Sequence, residues 1–106
     1  MPAISQWNTY AGGTGAAPGK NSYDFRIAGR QYMIDPVSSV LGRHRGYSLQ
    51  VFPGANNGYA LLGAKGEEVR LIGECFRSPQ AAASAATLHM ARLGLVPAPK
   101  ARKRRR

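Results

Sequence analysis

From Tyr23 the chain alternates apolar and polar positions, with Tyr23, Phe25 and Ile27 on one side and Asp24 and Arg26 on the other. Period-two alternation is the mark of a strand with one buried face. Ala28-Gly29-Arg30 interrupts the pattern and Gln31 to Asp35 resumes it, which predicts a hairpin. Three further strands are predicted at Tyr47 to Phe52, Tyr59 to Lys65 and Glu68 to Phe76. Their separators, residues 53–58 (Pro-Gly-Ala-Asn-Asn-Gly) and Gly66-Glu67, are turn chemistry, since Asn and Gly tolerate the positive φ that tight hairpins require. Short connections between neighbouring strands imply an antiparallel meander.

The periodicity then changes. Ser78 followed by Pro79 predicts a helix start, because the hydroxyl can accept from an orphan amide and proline costs nothing at the first helical position. The alanine-rich run Gln80 to Leu93 ends at Gly94, a residue suited to a left-handed cap. Leu88, Met90 and Leu93, with small Ala82, Ala85 and Ala86, are expected to lay this helix close against the sheet. The fold class is therefore α+β: a small antiparallel β-sheet, three core strands plus an N-terminal hairpin, packed by one C-terminal α-helix and followed by a flexible basic tail.

Three stretches break the pattern. Residues 1–22 are rich in Gly, Pro, Asn and Ser, so ordering them is entropically costly and yields little apolar burial; a flexible arm is expected, with Trp7 and Tyr10 as the residues that could dock. Pro36 to Gly46 is polar and is expected to be an exposed loop carrying Arg43-His44-Arg45. Pro97 and Pro99 end regular structure, which divides the chain into an arm (1–22), an α+β domain (23–95) and a disordered basic tail (96–106). A length of 106 residues with 43% apolar content fits one domain with one modest core.

Charge adds a direction to this picture. The net charge is +10, and Lys100, Arg102, Lys103, Arg104, Arg105 and Arg106 supply six of those charges. The body is close to neutral by comparison: residues 47–99 carry four bases against Glu67, Glu68 and Glu74. A partner rich in negative charge would meet the tail first. Six neutralised phosphates give a log affinity slope against log salt of about −5 on duplex nucleic acid. Arg43 and Arg45 in the loop, the hairpin arginines Arg26 and Arg30, and Arg70 are the next candidates for phosphate contacts. Trp7, Tyr10, Tyr47, Phe52 and Tyr59 have faces on which unpaired bases stack, although most of them are expected in the core.

Other chemistries find little support. Residues 12–20 (Gly-Gly-Thr-Gly-Ala-Ala-Pro-Gly-Lys) mimic a phosphate-binding loop, but Thr14 stands where the first glycine should be, Asn21 replaces the magnesium-binding hydroxyl and no apolar strand precedes the run. Two histidines and one cysteine at unrelated spacings do not make a zinc site. No pair of carboxylates is held at a catalytic spacing, Glu67-Glu68 reads as a solvated pair in a turn, and Cys75 has no adjacent base and reads as a buried core thiol. The expectation is a non-enzyme without cofactor or small-molecule substrate. No run approaches the roughly 18 apolar residues of a membrane span, and the lone cysteine fits a reducing compartment, so an intracellular protein, cytoplasmic or nucleoid-associated, is expected.

The run from Tyr47 to Leu93, three strands and then a helix, resembles the DNA-binding domains of plant ethylene-response factors and the arm-binding N-terminal domains of phage integrases. The local likeness lies in Phe76-Arg77-Ser78-Pro79-Gln80-Ala81-Ala82-Ala83-Ser84-Ala85, with Ile72-Gly73 before it. The resemblance implies a sheet that enters the major groove with the helix behind it. The departure is chemical: those families line the sheet with arginine and tryptophan, whereas here Arg70 stands beside Ser48, Gln50 and Glu74. Two readings follow. The first is a small basic nucleic-acid-binding protein, DNA slightly favoured over RNA, from a bacterium, a phage or another mobile element. The second is a phage- or plasmid-encoded inhibitor of the anti-CRISPR sort, docking through its sheet on a host nucleoprotein complex.

Overall fold

Alternation does produce strands here, and more of them than the pattern announces. The computed structural model describes residues 3–11, 20–38, 44–69 and 75–97. After a 3-10 turn at Ile4–Gln6 come β1 (Asn8–Tyr10), β2 (Ser22–Ile27), β3 (Arg30–Ser38), β4 (His44–Phe52), β5 (Ala60–Leu62), β6 (Glu68–Val69) and α1 (Pro79–Arg92). The strands form one antiparallel sheet in chain order, β1 to β6. The protein is thus α+β, an open meander backed by a C-terminal helix.

Register decides which side chains meet the helix. Tyr23 pairs with Ile34 and Phe25 with Tyr32, while Ile34 pairs with Leu49 and Tyr32 with Val51. Directly paired residues share a face, so these six form one apolar surface. Leu62 joins them from β5, and Ala82, Ala83, Ala85, Ala86 and Met90 cover them from α1. Alanine on the inner helix face lets the backbone approach closely, and Tyr32, Ile34 and Val51 are fully buried beneath it.

The helix termini follow the sequence signals. Ser78 Oγ accepts the Ala81 amide at 3.1 Å with Pro79 in the first turn. At the other end Gly94 adopts φ +75, its amide donates to Ala91 O at 3.0 Å, and the Leu95 amide donates to Met90 O at 2.9 Å. This is a Schellman cap, which satisfies carbonyls the helix leaves open. Leu93 is the C-cap and is exposed; Thr87 and His89 take buried places that the apolar pattern had assigned to Leu88 and Leu93.

The arm predicted over residues 1–22 is in part structure. β1 pairs with β2, and Trp7 is buried against the Phe25 ring with centroids 5.6 Å apart. One large indole supplies apolar area that the small residues around it cannot. The loop expected from Pro36 to Gly46 is likewise two strand ends. Val37 pairs with Gly46 and Ser38 with His44, so Arg45 is the extra residue of a β-bulge. Pro36 is tolerated because Tyr47 exchanges both its amide and carbonyl bonds with Phe76, at 2.8 Å each. The Pro36–Tyr47 pair therefore needs no amide from Pro36.

Two more expectations fail for local reasons. Phe76 takes the inward position at its bridge to Tyr47, so neighbouring Cys75 faces out and is exposed, its thiol donating to Arg45 O at 3.1 Å. Glu67 and Glu68 are not a free solvated pair: Glu67 accepts the Lys65 amide at 2.9 Å, and Glu68 accepts the Ala55 amide and meets His89.

Candidate nucleic-acid interface

The helix covers one face of the sheet, and register writes the other face as rows across the strands. Arg26 pairs with Gln31 and Gln31 with Phe52. Val51 pairs with Ala60, so continuing β4 and β5 by one residue sets Phe52 beside Tyr59. Their rings lie 4.8 Å apart at 40°. The outermost row thus reads Arg26, Gln31, Phe52, Tyr59: cation, amide, aromatic, aromatic. With strands about 4.8 Å apart it spans roughly 14 Å.

Next along the strands run Asn8, Asp24, Met33, Gln50 and Leu61. Beyond them lie Tyr10 with Ser22, and Asp35 with Ser48. The open face is therefore graded, basic and aromatic at the β2–β3 turn and acidic toward the other end.

The hairpin turn puts the basic end in place. Ala28 at φ 51 and Gly29 at φ 80 make a two-residue turn of the type whose twist matches paired strands. Arg30 follows, and its guanidinium donates to Pro53 O at 2.5 Å, which fixes it beside Phe52. The Arg26 side chain is 74% exposed, with Nε 3.6 Å from Asp24 Oδ2. Arg26, Gly29, Arg30, Gln31 and Phe52 line a shallow cleft of about 290 Å³.

The acidic end is held by Asp24, which is buried yet ionised. Burial pushes its carboxyl pKa up, but donors from Asn8 Nδ2 (2.9 Å), Gln31 Nε2 (2.8 Å) and Tyr10 OH (3.0 Å), with Arg26 alongside, bring it below the ordinary carboxylate range. The bond to Asp24 in turn raises the Tyr10 phenol. Asp24 therefore ties β1 to β2 and β3, and it orients Gln31 within the outer row.

The loop between β4 and β5 is anchored from beneath. The Ala55 amide donates to both Glu68 oxygens, at 3.1 and 3.2 Å, and Glu68 Oε2 lies 3.3 Å from His89 Nε2. His89 Nδ1 meets the Tyr32 hydroxyl at 2.8 Å. The loop that joins Phe52 to Tyr59 is thus linked by one carboxylate to the helix and the core.

Of the residues expected to contact phosphate, Arg26 and Arg30 come together at this cleft. Arg45 is exposed at the opposite end of β4, roughly 23 Å from Phe52 at strand rise. Arg43, Arg70, Lys100, Arg102, Lys103, Arg104, Arg105 and Arg106 lie outside the described residues. Among the aromatic candidates, Trp7 and Tyr47 are core, whereas Tyr10, Phe52 and Tyr59 are 52%, 40% and 66% exposed. Sequence reasoning missed the Asp24 hub and the part of Gln31; the signal was Asp24 standing opposite Met33 and Asn8, visible only once strand register was known. Among the described residues no cluster of His, Cys, Asp and Glu is arranged to hold a metal ion, and no helix is long and apolar enough to cross a membrane.

Comparison of the chain with protein-family models, with curated proteins and with solved structures finds no match.

Proposed function

We propose that this chain is a small basic nucleic-acid-binding protein, whose C-terminal cations gather the phosphate backbone and whose open sheet face receives the strand at its Arg26 end. The observation that carries the reading is the outer row itself: Arg26, Gln31 and two exposed aromatics line up on the face that no helix covers, with Arg30 at the rim of the same cleft. Cations beside ring faces are what a nucleic acid needs, with phosphate on one and base on the other. The tail adds affinity without selectivity, since point charges do not read bases. DNA is favoured over RNA on the sheet-plus-helix resemblance.

The test is a fluorescence-anisotropy salt titration of the intact chain and of a chain ending at Pro99. The expected result is tight binding by the intact chain and a log–log salt slope that falls by several units on truncation, about −5 being the tail's full share. An unchanged affinity and slope after truncation would overturn the tail's role.

The acidic end of the same face supports the second reading, an inhibitor or adaptor that meets a host nucleoprotein complex. Asp24 and Asp35 repel phosphate, and with the exposed Tyr10 ring beside them they suit a protein partner. That reading gains if binding to nucleic acid is weak, indiscriminate and lost entirely with the tail.

A further inference from the structure

We infer that the cleft between Arg26, Arg30 and Phe52 is a stacking subsite for an unpaired base, which makes the protein selective for single-stranded over duplex nucleic acid. This rests on the nucleic-acid reading above and deepens it.

Phe52 and Tyr59 are adjacent, both open to solvent, and on the sheet face away from the core. Single exposed aromatics need no explanation. Here Phe52 forms one wall of the cleft, and Tyr59 extends its ring surface on the side away from Arg26. Bases inside a duplex are stacked on one another and offer no free π-face, so a ring platform adds affinity only where a base is unpaired.

Cations complete the site. Arg26 and Arg30 line the same cleft, and both guanidinium groups are steadied, Arg26 by Asp24 and Arg30 by Pro53 O. A base on Phe52 would set its flanking phosphate within reach of Arg26, which shares its face of the sheet. Gln31 stands between Arg26 and Phe52, its Nε2 committed to Asp24, so its Oε1 is the atom that can accept from the exocyclic amine of a base. Pre-positioned groups of this kind lose little entropy on binding. The volume, about 290 Å³, suits one ring system and not a folded partner.

The net charge of +10 names the occupant's chemistry as anionic, and the rings name it as aromatic. A strand of unpaired nucleotides is both.

The experiment compares a labelled single-stranded oligonucleotide of about 15 residues with its duplex, against the intact chain and Tyr59→Ala, Tyr59→Trp and Phe52→Leu. The single strand is expected to bind the intact chain more tightly. Tyr59→Ala should weaken that binding by roughly 5- to 150-fold, the range of one lost base–aromatic stack, with the salt slope unchanged because no charge is removed. Tyr59→Trp should restore it, and duplex binding should stay within about twofold throughout. Phe52→Leu keeps apolar bulk beneath the loop and should give a similar loss. Equal affinities for single strand and duplex, unmoved by Tyr59→Ala, would overturn the stacking subsite and leave the proposed function standing. Absence of binding to either probe at low salt would overturn both.

Discussion

The Tyr32 hydroxyl meets Nδ1 of His89 at 2.8 Å, joining the middle of the sheet to the helix inside the core. Burial raises the Tyr32 pKa to about 12, so the phenol keeps its proton; the Glu68 carboxylate beside Nε2 can only accept, which gives Nε2 the hydrogen of a neutral ring and leaves Nδ1 to accept from Tyr32. The Nε2 of His89 then carries the ring hydrogen, which it directs at Glu68. Burial also lowers the pKa of His89, against the pull of Glu68 and with help from Arg30 and Arg92. The imidazole is therefore neutral in the fold.

A pH dependence follows. Between the lowered folded pKa of His89 and its ordinary value of about 6.5, the unfolded chain binds more protons than the folded one, so stability rises with pH across that window. The contribution is complete above about 6.5 and is lost as pH falls toward the folded value. Denaturant midpoints measured from pH 7.5 to pH 5 should fall, and His89→Gln should flatten the trend. An equally steep trend in His89→Gln would remove His89 from the account.

Tyr32→Phe isolates the same bond. It leaves Nδ1 of a buried imidazole without a donor while keeping the ring in place, and it should cost about 1–3 kcal/mol in chemical denaturation. A change within about 0.5 kcal/mol would mean that the hydrogen bond contributes little net stability.

Gly66 shows how tightly the β5–β6 turn sits on the helix. Its φ is +75, and a Cβ there would lie 2.7 Å from both the His89 nitrogen and the Leu88 Cβ. Neither helix backbone nor a Cβ can retreat cheaply. Gly66→Ala should lower stability by about 3 kcal/mol and the melting temperature by more than about 10 °C. A near-neutral result would show that this turn does not bear on α1.

Ala28 is the converse case, a residue that fits its site badly. It holds φ 51 in the β2–β3 turn, where Asn and Gly are at home. Ala28→Asn should raise stability by about 0.5–1 kcal/mol, seen as a higher denaturation midpoint with unchanged binding.

Glu68 separates positioning from electrostatics. Glu68→Ala removes a negative charge from a protein proposed to bind phosphates, and charge alone predicts tighter binding. Yet Glu68 holds the Ala55 amide and so steadies the loop that joins Phe52 to Tyr59. Single-strand affinity should fall by about threefold, the cost of ordering a loosened loop, while duplex affinity should rise slightly. A rise in both would show that the loop needs no anchor.

Much of the fold was legible in the chain because its signals are local. The Tyr23–Ile27 alternation, the Asn-Gly loop, the Ser78-Pro79 start and the Gly94 stop each act within a few residues. What escaped is set by contacts distant in sequence. Trp7 finds Phe25, and β1 finds β2 across residues 12–19; Gly-rich composition concealed a strand whose partner lies more than ten residues on. The Arg45 bulge and the outward turn of Cys75 depend on how β4 meets Phe76. Arg26 was readable as a cation and Phe52 and Tyr59 as aromatics, but only register brings them into one row.

The most direct test of the open-face account is amide chemical-shift mapping of the full chain as a single-stranded oligonucleotide is added. The account predicts the largest changes at Arg26, Gly29, Gln31, Phe52 and Tyr59, together with the tail from Lys100 to Arg106, and small changes along α1. Shifts confined to the tail, or centred on the helix, would contradict it.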